Sequence, residues 1–313
     1  MVDNLISEFS LIDRFFKRKP VNQSITENIG DDCALLSIPQ DCELAITTDT
    51  MVEGVHFFPH VNPYDLGYKL LAVNLSDLAA MGAKPLAVTL ALTLPKVDEN
   101  WLSEFAKGFF TLAERYRVDL IGGDTTQGPL TLSVQAMGLV PHGKALKRSL
   151  AKSGDFICVT GRLGQAGLGL KIEQGYACAY PEQALLRLHR PEPQVEAGLS
   201  LSGVANACID ISDGLAGDLA HILNQSGVGA SLQWEQLPLS SEVNQYIDST
   251  GDWQMPLTAG DDYELCFTVN PEQYSKLTIP HVKVGEIEAV PGLRLIKNGN
   301  IETLSISGFQ HFA

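Results

Sequence analysis

The chain has 313 residues, of which 45% are hydrophobic and 19% charged, with a formal net charge of −15. That length suits two ordinary domains or one large one, the balance is that of a folded protein rather than a disordered one, and no apolar run reaches the roughly 18 residues needed to span a bilayer. The acidic charge argues against a nucleic-acid backbone as partner, since such binding rests on Lys and Arg, and it requires cations between the protein and any phosphorylated ligand.

Met1-Val2-Asp3-Asn4-Leu5 lacks the basic start and apolar core of a signal peptide. Leu5, Ile6, Phe9, Ile12, Phe15 and Phe16 recur at helical spacing and predict an amphipathic helix ended by Pro20. A polar loop leads to Ile29-Gly30-Asp31-Asp32-Cys33, and Leu44 to Thr48 reads as a strand running into Asp49-Thr50. Residues 64–84 predict a long, nearly all-apolar helix closed by Gly82 and Pro85. Leu86, Val88, Leu90, Leu92 and Leu94 alternate as in a half-buried strand. Trp101, Phe105, Phe109, Leu112 and Tyr116 mark the core face of another helix. Leu120-Ile121 reads as a short strand leading into the turn Gly122-Gly123-Asp124, with a further strand at 131–140.

The pattern restarts near Pro141-His142-Gly143, and the domain boundary is placed between there and about residue 150, giving domains 1–147 and 148–313. The second half predicts strands at 156–160, 207–211, 230–234, 264–269, 282–287 and 293–296, with helices between them. Their irregular alternation favours two α+β domains over a doubly wound sheet. The six cysteines (Cys33, Cys42, Cys158, Cys178, Cys208 and Cys266) form no C-x-x-C pair and lie mostly in apolar runs. They are expected to be reduced, buried small hydrophobes of a cytosolic protein.

The aspartates carry the chemistry. Asp32, Asp49, Asp77, Asp124, Asp210 and Asp213 fall at strand ends, in glycine turns or within an apolar helix. Asp77 is flanked by Leu75, Leu78, Ala79 and Ala80, where an unpaired carboxylate costs several kcal/mol. One such acid reads as a cap; six together point to shared hard cations such as magnesium, which choose carboxylate oxygens and keep waters for phosphate exchange. Thr47-Thr48-Asp49-Thr50, Gly122-Gly123-Asp124-Thr125-Thr126 and Asp210-Ile211-Ser212-Asp213-Gly214 combine acids, hydroxyls and accessible backbone N–H groups. Glycine admits a phosphate close to the backbone, and a helix N-terminus favours anions. The glycine-rich run Gly161–Gly169 fits neither nucleotide-loop template and reads as a turn for close strand–helix packing. Arg148, beside Lys144 and Lys147, is either a solvated basic loop or a guanidinium aimed at a transferring phosphoryl group.

In this order the motifs resemble the thiamine-monophosphate kinases of the AIR synthetase-like superfamily. Gly30-Asp31-Asp32-Cys33-Ala34, Thr48-Asp49-Thr50, the Asn74–Ala83 run, Gly122–Thr126, Asp210–Gly214, Asp262-Tyr263-Glu264-Leu265 and Gly308–Phe312 carry the resemblance over nearly the whole chain. It implies two α+β domains, a cytoplasmic homodimer made by pairing the sheets of the N-terminal domains, and an active site in the cleft between domains. It implies ATP-dependent phosphorylation of thiamine monophosphate with several magnesium ions, and no nucleic-acid or membrane partner. Asp32, Thr47, Thr48, Asp49, Asp77, Asp124, Asp210 and Asp213 would hold magnesium. Gly122, Gly123, Asp124, Arg148 and Ser212 would hold ATP. His56, Asp261 and Phe309 would contact the thiamine phosphate, and Asp77, Asp124, Arg148 and Asp210 would act in catalysis. Thr47 stands where some relatives carry Ser, and Asp261 where the family usually has Glu, which puts the role of Asp261 in question. The alternatives are another ATP-using enzyme of the superfamily, such as one closing the aminoimidazole ribotide ring, and a non-catalytic nucleotide or metal sensor. Selenophosphate synthesis would call for a reactive Cys or selenocysteine in the N-terminal loop, and none precedes Cys33.

Overall fold

Where apolar residues alternate the chain pairs into sheets, and where they crowd every position it forms buried helices. The computed structural model describes residues 7–302 and 304. It divides between His142 and Gly143 into two units, with Ala79–Ala83 belonging to the second. Both units mix helices with sheets, and the sheets are mainly antiparallel, as the irregular spacing predicts.

The first unit opens with α1 (Glu8–Leu11), which runs on as a π-helical turn over Ile12–Phe16. The expected regular helix is therefore short and widened; Leu5 and Ile6 lie outside the described residues. A small hairpin, β1 (Ile25–Glu27) with β2 (Leu35–Leu36), follows. The main sheet contains β3 (Cys42–Val52), β4 (Lys84–Leu94), β5 (Asp119–Gln127) and β6 (Thr131–Pro141) in the order β3-β6-β4-β5. Only β4 and β5 run parallel, and the crossover that parallel strands require is α3 (Glu99–Tyr116).

α2 (Pro63–Ala80) is mostly apolar and buried along its length, from Leu66 through Leu70, Leu71 and Leu75 to Leu78, with Lys69, Asn74 and Ser76 buried among them. It packs closely on α3 because glycines stand at the crossing. A Cβ on Gly67 would lie 2.1 Å from the Phe105 carbonyl oxygen, and one on Gly108 1.8 Å from that of Tyr64. The opposite face of the sheet, at Leu86, Ala87, Ile121 and Met137, is partly covered by Ile25, Leu36 and Ile38. Towards the edge, Leu44 and Ile46 on that face remain 36% and 56% exposed.

In the second unit, β7 (Phe156–Val159), β8 (Ala207–Asp210), β9 (Gly229–Gln233), β10 (Leu265–Val269), β11 (Val282–Glu288), β12 (Gly292–Lys297) and β13 (Asn300–Glu302) form one sheet. Its order is β13-β12-β9-β11-β7-β10-β8. Helices α4 (Gln165–Glu173), α5 (Glu182–His189), α6 (Val195–Leu201), α7 (Leu215–Ser226), α8 (Ser241–Thr250), α9 (Met255–Thr258) and α10 (Pro271–Tyr274) accompany it. Leu215, Leu219 and Ile222 of α7 join Ile157, Ile209, Leu232 and Cys266 of the sheet in one core. The glycine-rich run is a packing device: a Cβ on Gly169 would meet the Ala184 carbonyl oxygen at 2.4 Å.

All six cysteines are free thiols, but only Cys158, Cys208 and Cys266 are buried. Burial pushes the Cys158 thiol up to about 12, so it is a hydrophobe rather than a nucleophile. Cys33 is exposed, and Cys42 and Cys178 are half-buried, which corrects the expectation of a wholly buried set. Each lies outside the central strands whose apolar neighbours would cover it.

Candidate active site

In a strand, successive side chains point to opposite faces. In β3 this turns Thr47 and Asp49 towards α2, while Thr48 and Thr50 face away and are exposed. The Thr47 hydroxyl donates to the Asp77 carboxylate in a short hydrogen bond, and the Asp49 N–H donates to Asn74 Oδ1 at 3.2 Å. Burial, with the Asp77 charge beside it, pushes Asp49 up to about 7. The structure thus brings Thr47, Asp49 and Asp77 together and sends the Thr48 side chain to the other face, opposite Gln135.

A second group surrounds a cavity of about 590 Å³ in the same unit. Asp32, Gly122, Gly123 and Asp124 line it, joined by Asp31 and by Glu8, Asp13 and Lys17 from the N-terminal helical segment. Lys17 pairs with Asp13 at 3.2 Å. Gly122–Asp124 is not the turn expected from sequence. It continues β5, in register with Thr89, Leu90 and Ala91 of β4. Gly123 is required there by packing, because at φ 154° a Cβ would sit 1.8 Å from the Leu90 carbonyl oxygen. β5 is an edge strand, so the backbone groups on its unpaired side stay accessible to a ligand.

His56 lies just past β3. Its Nδ1 accepts the Val52 N–H at 3.0 Å, which fixes the ring and leaves the proton on Nε2.

In the second unit, Asp210 is buried at the end of β8, and Ser212 and Asp213 form the turn before α7. Gly214 adopts φ 103°, and a Cβ there would meet the Thr258 backbone at 2.7 Å. Asp218, which the sequence reading passed over, accepts the Asp213 N–H at 3.0 Å. Burial pushes it up to about 7, against the opposing pull of its hydrogen bonds to the Asp213 and Ser212 backbone and of the Arg148 charge. Arg148 itself is exposed. The signal available was an acid among Leu215, Ala216 and Leu219, the same signal that singled out Asp77.

Asp261 lies beside this turn, its N–H donating to the Ser212 carbonyl at 2.9 Å. Asp261 and Tyr263 adopt φ 68° and 50°, a left-handed conformation that costs a non-glycine residue on the order of 1 kcal/mol. Between and beyond them, Asp262 and Glu264 are buried; neither was singled out as a site residue from sequence. Phe309, with the rest of Gly308–Phe312, lies outside the described residues.

Among the described residues no three His, Cys, Asp or Glu side chains converge into a self-contained metal cage. The donors form separate groups instead: Asp49 with Asp77, Asp32 with Asp124, and Asp210 and Asp213 in the second unit. They still fit magnesium in kind. The donors are oxygens only, Asp49 is buried beside a like charge that a cation would neutralise, and magnesium commonly takes one or two carboxylates and completes its shell with water and substrate phosphates.

Residues 30–140 match the N-terminal domain, and residues 152–295 the C-terminal domain, of the AIR synthase related proteins. The chain is 46% identical to a thiamine-monophosphate kinase of Salmonella typhimurium, covering 98% of both chains. It superposes on the crystal structure of a thiamine-monophosphate kinase from Stenotrophomonas maltophilia with a TM-score of 0.85 at 42% identity, over 95% of this chain and 98% of that one. A structure of AaThiL complexed with AMPPCP and TMP matches with a TM-score of 0.80 at 28% identity, over 98% and 97%.

Proposed function

This chain belongs to the AIR synthase related family, and we propose that it uses ATP to phosphorylate thiamine monophosphate, giving thiamine diphosphate. The observation that carries this reading is the 46% identity to a thiamine-monophosphate kinase over 98% of both chains. The AMPPCP and TMP of the AaThiL complex name the corresponding classes of donor and acceptor.

The acceptor is a phosphate oxygen. The second pKa of a phosphate monoester is about 6, so this oxygen is largely anionic at pH 7 and needs no general base. The barrier is the approach of anion to anion. Two unit charges 4 Å apart repel by about 1 kcal/mol in water and about 4 kcal/mol at an effective dielectric of 20. Magnesium, when bound, supplies the charge neutralisation that this approach requires.

The protein's own residues position the reactants. Asp32, Thr47, Thr48, Asp49, Asp77, Asp124, Asp210 and Asp213 are assigned to the metal ions. Of these, Asp49 and Asp77 have the firmest support, because a desolvated like-charge pair favours a cation. Thr48 would have to ligate through its backbone. Gly122 and Gly123, on the open edge of β5, leave backbone N–H groups accessible to ATP phosphates; Ser212 and Arg148, in the second unit, are also assigned to ATP. His56, oriented by the Val52 N–H, contacts the substrate, with Asp261 and Phe309.

Residues 1–147 would be the metal- and nucleotide-binding and dimerisation domain, and 148–313 the C-terminal α+β domain. The exposed Leu44 and Ile46 on edge strand β3 support a homodimer formed through this sheet. Among the described residues no helix is long and apolar enough to cross a membrane, and a cytoplasmic location agrees with this. The test is direct: purified protein, ATP, magnesium and thiamine monophosphate should yield thiamine diphosphate and ADP in equal amounts. ATP binding without the diphosphate would leave a nucleotide sensor.

A further inference from the structure

Gly260–Glu264 is held on both sides by the rest of the second unit. On one side, Asp261 and Tyr263 donate their N–H groups to the carbonyls of Ser212 and Ile211, at 2.9 and 2.8 Å. Gly260 allows that approach, since a Cβ there would lie 2.1 Å from the Ser212 carbonyl oxygen. On the other side, Asp262 and Glu264 point inward, 5% and 1% exposed. Both grip the glycine-rich turn that joins β7 to α4. Asp262 Oδ2 accepts the Gly164 N–H at 2.7 Å, and Oδ1 accepts the Ala166 N–H at 3.2 Å. Glu264 Oε2 accepts the Thr160 hydroxyl at 2.7 Å, and the Thr160 oxygen in turn accepts the Leu265 N–H at 2.8 Å.

Backbone at φ 68° and 50° persists in non-glycine residues only where the surroundings over-determine it. Here the bonds to Ser212 and Ile211 and the two inward acids together supply that determination, and Asp262 stands between the two strained residues. Its two oxygens are each committed to a different backbone N–H, so it fixes both the place and the tilt of the peptide on either side.

We propose that Asp262 is a positioning residue for Asp261: by clamping residues 164–166 it holds the strained turn that presents Asp261 to the thiamine part of the substrate. This rests on the reading of Asp261 as a substrate contact. It gives the Asp-Tyr-Glu-Leu motif a function, which is to aim the residue before it.

The test is a double-mutant cycle on the full-length enzyme, measuring KM for thiamine monophosphate and for ATP together with the melting temperature. In Asp262→Asn the side-chain oxygen still accepts one N–H, while the amide nitrogen opposes the other. At pH 8, where Asp262 is ionised, the variant should raise KM for thiamine monophosphate about tenfold, the usual consequence of one lost hydrogen bond to a charged group, and leave KM for ATP unchanged. In the Asp261→Ala background the same change should add nothing to that KM. Asp155→Asn is the stability control: this acid is equally buried, bonded to Asn206 and the Lys152 N–H, and its loss should lower the melting temperature without a selective effect on KM.

Additive effects of the two changes, or equal effects on both substrates, overturn the positioning role and leave Asp261 as a contact. A silent Asp261→Ala overturns the contact itself and the proposal with it. If Asp262→Asn does not fold, Glu264→Gln, which weakens the other half of the clamp, should produce a smaller rise in the same KM, and its absence overturns the proposal.

Discussion

Asp49 on β3 and Asp77 on α2 place two carboxylates side by side, and the Thr47 hydroxyl bonds to the second of them. Neither segment could create this pair alone. The strand turns Asp49 inward by its two-residue period, and the helix carries Asp77 to meet it, one turn beyond Asn74, whose Oδ1 accepts the Asp49 N–H.

Asp77→Asn should fold as the wild type does, because Asn keeps an acceptor for the Thr47 hydroxyl and removes the like charge beside Asp49. Its melting temperature without magnesium should be no lower than that of the wild type. Turnover at saturating magnesium and ATP should fall roughly a hundredfold or more, as when a group that stabilises developing charge is lost. Unchanged turnover would remove Asp77 from the metal site.

Asp262 predicts a pH dependence. Burial raises it from 3.8 to about 7, so in the folded state it keeps its proton to higher pH than in the unfolded state. Its contribution to stability is therefore present below about pH 4 and is lost as pH rises to about 7. Asp262→Asn does not titrate, so the stability difference between wild type and variant should shift against the wild type as pH rises through that window and stay level above it. Denaturant titrations at pH 5, 6, 7 and 8 measure it, and a difference independent of pH would show that Asp262 titrates normally.

Gly123→Ala should cost about 3 kcal/mol, the upper range for overpacking, because the new Cβ would lie 1.8 Å from the Leu90 carbonyl oxygen. Gly143→Ala is the comparison. Gly143 also has positive φ, at 70°, but nothing lies within 4 Å of its Cβ position, so only the backbone penalty of about 1 kcal/mol applies. Equal losses in chemical denaturation would mean that β4 and β5 can part locally to admit the methyl group.

Ile46→Lys tests the sheet-paired dimer. The side chain is 56% exposed on an edge strand, and Met137 opposite it is already buried within its own unit. If the proposed dimer forms through this sheet, a charge there should leave the fold intact and yield a monomer in sedimentation equilibrium. A dimer of unchanged affinity would place the interface elsewhere.

Unphosphorylated thiamine should be a poor acceptor. Its hydroxyl is protonated at neutral pH and the proposed mechanism provides no base, whereas the phosphate oxygen is already anionic. Comparable rates for the two acceptors would require a base, and His56 would be the first to mutate, although it would have to give up the Val52 N–H at its Nδ1 to act as one.

Much of this protein is legible locally. Alternation fixes β4, the nearly all-apolar run fixes α2, and acids set among apolar neighbours single out Asp77 and Asp210, because period and desolvation cost are properties of a few adjacent residues. The same period separates Thr48 from Thr47 and Asp49 in β3. Other features required the folded chain. Gly122–Asp124 looks like a turn from its glycines, yet it is a strand, because the register with β4 puts the Leu90 carbonyl where a Cβ would be. Asp262 and Glu264 acquire their roles from backbone N–H groups or a hydroxyl in a distant turn and strand end, and so do the left-handed conformations of Asp261 and Tyr263. A hydrogen bond to a turn nearly a hundred residues away leaves no periodic trace in sequence; only packing, which decides which polar groups lose water together, determines it.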